Sequence, residues 1–159
     1  MPTIKDIAAI PVAYAVGADR AFGNARGRFD RRGSILVKVT SDDGTVGWGE
    51  AWGAAPAATL GYFETIRPLV LGRDVFDRNG AWHTILRTMY SVRIQNQMTA
   101  VVSGLNIALH DLAGKLLGQP LYKLLGGAPC EGVPSYASGG YFCNDPKNQL
   151  DAQLAGTDP

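Results

Sequence analysis

Residues 97–118 read QMTAVVSGLNIALHDLAGKLLG, and the reading of this stretch decides the fold. Val101, Leu105, Ala108, Leu112 and Leu116 recur at spacings of four and three, with Leu109 and Ala113 beside them, which is the period of a helix that buries one face. Gly118 accepts the left-handed cap that ends such a helix, and Pro120 has no N–H with which to continue it. Upstream lies the surface this helix covers. Residues 34–40 (SILVKVT) read as a strand, Asp42-Asp43-Gly44 as a turn, and residues 45–51 as the returning strand of a hairpin. Residues 3–14 add a third strand, giving a three-stranded antiparallel meander whose apolar face needs cover from the helices that follow.

The rest of the chain is arranged around this pairing. Pro56 opens a helix through Leu60, Phe63, Ile66 and Leu69 that Gly72 ends, and residues 82–90 form a second, with Leu86 and Met89 on one side of Arg87. Residues 15–32 are rich in Gly and Arg without an apolar period and read as a mobile loop. Residues 121–125 form a short helical turn that breaks at Gly126-Gly127, residues 133–137 read as a new strand, and Asp145-Pro146 opens a short helix that gives out at Gly156. One βα unit cannot bury both faces of a parallel strand, so this end reads as unfinished. The expected division is 1–128 and 129–159.

Composition narrows the function. Fifteen Lys and Arg against fourteen Asp and Glu leave a formal charge of +1, so no global field draws the chain to nucleic acid or an acidic membrane. The apolar stretches read as broken before a membrane-spanning length, and the amino terminus lacks a signal-peptide pattern, which together place the chain in the cytoplasm. Cys130 and Cys143 have neither a CxxC partner nor a nearby His and read as free thiols.

Three stretches, DDGTVGWGE (42–50), SGLNIALHDLAGKLLG (103–118) and QPLYKLLGG (119–127), together resemble the capping domain of the enolase superfamily, in its mandelate racemase and muconate lactonizing enzyme group. FDRR (29–32) and residues 136–142 are most similar to acid-sugar cycloisomerases, such as galactarolactone cycloisomerases, and to acid-sugar dehydratases. The resemblance implies an α+β cap on residues 1–128, a three-stranded meander followed by a helical bundle, and, on 129–159, the truncated first βα unit of a TIM-type barrel. It implies a Mg²⁺-dependent isomerase or lyase that removes the proton α to a carboxylate, the hard cation stabilising the enediolate. It also implies a small-molecule carboxylate substrate and a homo-oligomer when full length. The family's bases and metal ligands lie on later barrel strands, so no catalytic or metal residue is assigned in this chain, which alone is expected to be inactive. His110 departs from the family, which usually has Trp there.

What a cap contributes is walls. The matching loops here are residues 16–29 and 49–56, and closing them excludes water from the barrel mouth. Phe22 would shield the intermediate, and Arg26 or Arg28 would pair bidentately with a sugar-acid carboxylate, unless these are solvated loop residues. Trp52 lines the pocket or packs in the core beside Trp48, for which core packing is the plainer reading. Tyr141, after the first barrel strand, is a substrate contact. Asp111 and Lys115 form a surface or interface pair, and His110 and His83 have no catalytic part.

Two other classes start from weaker signals. Gly47, Gly49 and Gly53 spell an imperfect dinucleotide-binding pattern, with Glu50 in the wrong place and no βαβ unit. Arg20, Arg26, Arg28, Arg31 and Arg32 interleaved with Phe22 and Phe29 would suit single-stranded nucleic acid, against which Asp19 and Asp30 argue. A stand-alone module that binds a ligand or a protein without catalysis is the remaining alternative.

Overall fold

The computed structural model describes residues 1–17, 21–24, 27–52, 56–90, 97–128, 130, 132–136 and 142–143. Contacts divide the chain into two units, Met1–Val12 with Ser34–Pro129, and Ala13–Gly33 with Cys130–Pro159.

A three-stranded sheet has the order β1 (Ile4–Ala15), β4 (Arg31–Ser41), β5 (Val46–Ala51). Strand β4 shows why it is central. Ile35, Val37, Val39 and Ser41 are buried in strict alternation, the period of two that turns one face of a strand to the core. The β4–β5 hairpin pairs Ile35 with Ala51 at one end and Thr40 with Val46 at the other. Its turn is built by side chains as much as by backbone. The Ser41 hydroxyl donates to Asp43 Oδ1 at 2.5 Å, the Thr45 N–H donates to the same oxygen at 2.9 Å, and Gly44 takes φ +88°, which only glycine adopts without strain.

Three helices cover the apolar face: α1 (Pro56–Val70), α2 (Arg78–Thr88) and α3 (Gln97–Leu117), followed by the single turn α4 (Leu121–Leu124). The α3 bounds match the sequence period, and Val101, Leu105, Ala108 and Leu112 are buried in the core with Ile35, Val37 and Val39. By length and composition alone, Met98–Leu117 is long and apolar enough to cross a membrane, contrary to the reading that every apolar run breaks too early. Its buried stripe is that of a core helix packed on a sheet. Helix α2 begins four residues before the expected start because the Asp77 carboxylate caps it, accepting the Gly80 N–H at 3.0 Å.

The second unit corrects the sequence reading twice. The stretch expected to be a mobile loop contains a hairpin of β2 (Phe22–Asn24) and β3 (Gly27–Phe29), with Phe22 opposite Phe29 and Gly23 opposite Arg28. Strands of three residues are too short to leave an alternation in the sequence. The expected strand at 133–137 is not formed over 132–136, which are exposed and without regular structure, while Ala137 lies outside the described residues. Pairing appears further on, at β6 (Phe142–Cys143), which lies antiparallel to β2 with Phe22 opposite Cys143 and Gly23 opposite Phe142. The helix expected after Asp145 lies outside the described residues.

Candidate functional site

In the first unit, the site region is the carboxyl end of β5 where it leaves the sheet. Glycine makes this end possible. A Cβ on Gly47 would lie 2.2 Å from the Ala108 carbonyl oxygen, and one on Gly49 would lie 2.2 Å from that of Gly104. A Cβ on Gly104 would in turn meet the backbone and side chain of Ala51 at 2.9 Å. Strand and helix therefore touch backbone to backbone, and the dinucleotide reading fails because α3 occupies the space that phosphates would need.

The alternate residues of β5 face the other way. Trp48, expected in the core, is 43% exposed and stands opposite Lys38 in the ladder. The period of two that buries Gly47 and Ala51 turns Trp48 outward, so the correction follows from the glycines themselves. Glu50 accepts a hydrogen bond from the Ser34 hydroxyl at 2.5 Å, which fixes its carboxylate against β4. Trp52, the first residue past the last ladder pair, is 75% exposed, so it is not a core residue.

The other predicted contacts belong to the second unit. The hairpin places the backbone of Phe22 and Arg28 on paired strands, and β6 joins Phe22 and Gly23 directly to Cys143 and Phe142. Arg26 and Tyr141 lie outside the described residues. Thus the segment beside Tyr141 and the strand that begins with Phe22 share one small sheet, a long-range pairing that no local pattern signals.

His110 is half-buried, with Nδ1 2.8 Å from the Asn106 carbonyl oxygen, a bond within its own helix. Asp111 and Lys115 are more than a surface pair. Lys115 Nζ lies 2.6 Å from Asp111 Oδ2, and both reach β5: Asp111 Oδ2 accepts the Trp48 N–H at 2.8 Å, and Lys115 Nζ donates to the Val46 carbonyl at 2.9 Å. The signal for this contact was in the sequence, since 104, 108, 111 and 115 fall on one helical face. The small residues on that face mark where the strand lies.

Among the described residues no three His, Cys, Asp or Glu side chains converge where a cation would sit, so Mg²⁺ does not fit this set and no chemical step is derived through it. What the described residues offer is shape and positioning: an exposed indole at a strand end, a fixed carboxylate beside it, and, in the other unit, a paired hairpin.

Comparison with known proteins agrees with this architecture. Residues 11–126 match the family described as mandelate racemase / muconate lactonizing enzyme, N-terminal domain. Among similar proteins, D-galactarolactone cycloisomerase of Agrobacterium fabrum is 36% identical over 124 residues, 77% of this chain and 32% of that protein. D-gluconate dehydratase of Thermoproteus tenax is 33% identical over 151 residues, 92% of this chain and 28% of that protein. A crystal structure of an enolase-superfamily member from Polaromonas sp. JS666 superposes with a TM-score of 0.83 at 31% identity, covering 97% of this chain and 41% of that one. The magnesium complex of a mandelate racemase/muconate lactonizing protein from Paracoccus denitrificans PD1222 gives 0.65 at 35% identity, covering 80% and 31%.

The fold is thus that of an enolase-superfamily capping domain. The chain belongs to the mandelate racemase and muconate lactonizing enzyme family through its N-terminal domain, and it spans about a third of the length of the curated relatives named here.

Proposed function

We propose that this chain is the substrate-selecting cap of a Mg²⁺-dependent enolase-superfamily enzyme, an isomerase or lyase that removes the proton α to the carboxylate of an acid sugar. In this reading residues 129–159 begin the barrel, and the bases and metal ligands are supplied by barrel strands outside the residues described. The cap contributes walls, for which the candidates are Phe22, Arg26, Arg28, Trp52 and Tyr141. The observation that supports it best is the pairing of β2 with both β3 and β6, which ties the expected first wall to the segment beside Tyr141. Support from relatedness is that the similar proteins are named for acid-sugar cycloisomerisation and dehydration. A cytoplasmic homo-oligomer is part of the same reading.

The test is substitution in the product isolated from its native cell. Replacing Arg26 or Arg28 by Ala should raise KM for a sugar acid by about ten- to a hundredfold, the range for a lost charge-assisted hydrogen bond. Trp52→Ala should change the ratio of kcat/KM between two acid sugars rather than abolish turnover. If all three substitutions leave KM and that ratio unchanged, the cap does not select substrate.

A further inference from the structure

Two of the three stretches that carry the family likeness, 42–50 and 103–118, meet face to face in the structure. Strand β5 is the last of the order β1-β4-β5, so among the described residues its outer edge has no neighbouring strand. On such an edge, residues two apart present their free N–H and C=O groups to the same side. Here those groups are taken by α3: the Trp48 N–H goes to Asp111 at 2.8 Å and the Val46 carbonyl receives Lys115 at 2.9 Å. The pair supplies one acceptor and one donor, as a neighbouring strand would, and its members are joined to each other at 2.6 Å.

We propose that Asp111 and Lys115 are a positioning pair, a clamp that holds β5 by its outer edge and thereby fixes the exit of Trp52 toward the substrate. This rests on the proposed role of Trp52 as a substrate wall. An exposed ion pair at this helical spacing adds little stability of its own, so holding the strand, not pairing the charges, is its main effect. Register is already restricted, because only Gly47 and Gly49 fit against the Ala108 and Gly104 carbonyls, and a slip of one residue would drive Trp48 or Glu50 into α3. The ladder with β4 holds the inner edge of β5, and the bonds at Val46 and Trp48 hold its outer edge. Trp52 follows four residues after Trp48, just beyond the last ladder pair of Ile35 with Ala51, so it leaves the sheet in the direction of β5.

Amide hydrogen exchange and backbone resonances of the 159-residue chain test the clamp without any substrate. In Asp111→Ala the Trp48 amide should exchange about tenfold faster or more, while the Val37 and Val39 amides of β4 keep their protection, and the Trp52 resonances should shift. Asp111→Asn, whose side-chain oxygen still accepts the N–H, should restore most of the Trp48 protection. Lys115→Met, which keeps the apolar stem, should move Trp52 without unfolding the core and serves if Asp111→Ala does not fold. Uniform loss of protection across β4 and β5 in both Asp111→Ala and Lys115→Met would mean a merely structural pair and would overturn the proposal. So would an unchanged Trp48 amide, or a released Trp48 with Trp52 unmoved. Because no substrate is present, failure of the clamp is distinct from failure of Trp52 as a wall, which the kcat/KM ratio reads.

Discussion

At Gly49 the strand β5 meets helix α3 with no room for a side chain. Because a Cβ there would meet the Gly104 carbonyl oxygen, a backbone atom that cannot rotate away, Gly49→Ala should cost at least the upper end of the about 1–3 kcal/mol typical of overpacking. Urea unfolding of the two proteins measures the difference. Trp52 is the opposite case: at 75% exposure, its replacement by Ala should change stability by no more than about 0.5 kcal/mol in the same experiment. A large loss would mean that Trp52 is structural. The turn carboxylates give a pH signature. Thr3, through its backbone first and its hydroxyl second, holds Asp42 below its ordinary value of 3.8, and the Ser41 hydroxyl followed by the Thr45 N–H does the same for Asp43. A lowered folded-state pKa contributes stability above the unfolded value that is lost as pH falls through the folded one. The hairpin should therefore weaken below about pH 4, and Asp43→Asn should flatten that acid limb in a pH series of thermal melts.

At the scale of elements, caps and covered edges set the boundaries. Asp77 satisfies the Gly80 N–H at the start of α2, so Asp77→Ala should lower stability by about 1 kcal/mol, with early exchange of the amides at 79–81 as the local sign. The elements legible in the sequence were those long enough to repeat a period: β4, β5, α1 and α3 lie within a few residues of their expected bounds because each shows one face to the core several times over. The start of α2 was missed because Asp77 is followed three residues later by Gly80, not by the Glu or Gln of a capping box. The strands β2 and β3 were missed because three residues hold no period, and β6 because its partner lies more than a hundred residues away. Trp48 was misplaced by its size; the flanking glycines, which lie on the buried face, already required it to point outward. The expected substrate contacts rest on family likeness, whereas the pairing of β2 with β3 and β6 left no sign in the sequence.

For the whole molecule, the proposal assigns substrate selection to this cap and the chemistry to the rest of the enzyme. The likeness to relatives about three times as long sets the context in which that selection would act. The most direct measurement is deuterium uptake at the carbon α to the carboxylate of an acid sugar, followed by proton NMR in heavy water with Mg²⁺. It would be made on the product purified from its native cell and on the 159-residue chain in parallel. The account predicts Mg²⁺-dependent exchange by the native product and none by the 159-residue chain. Exchange catalysed by the chain alone, or a native product that exchanges no acid sugar, would contradict it.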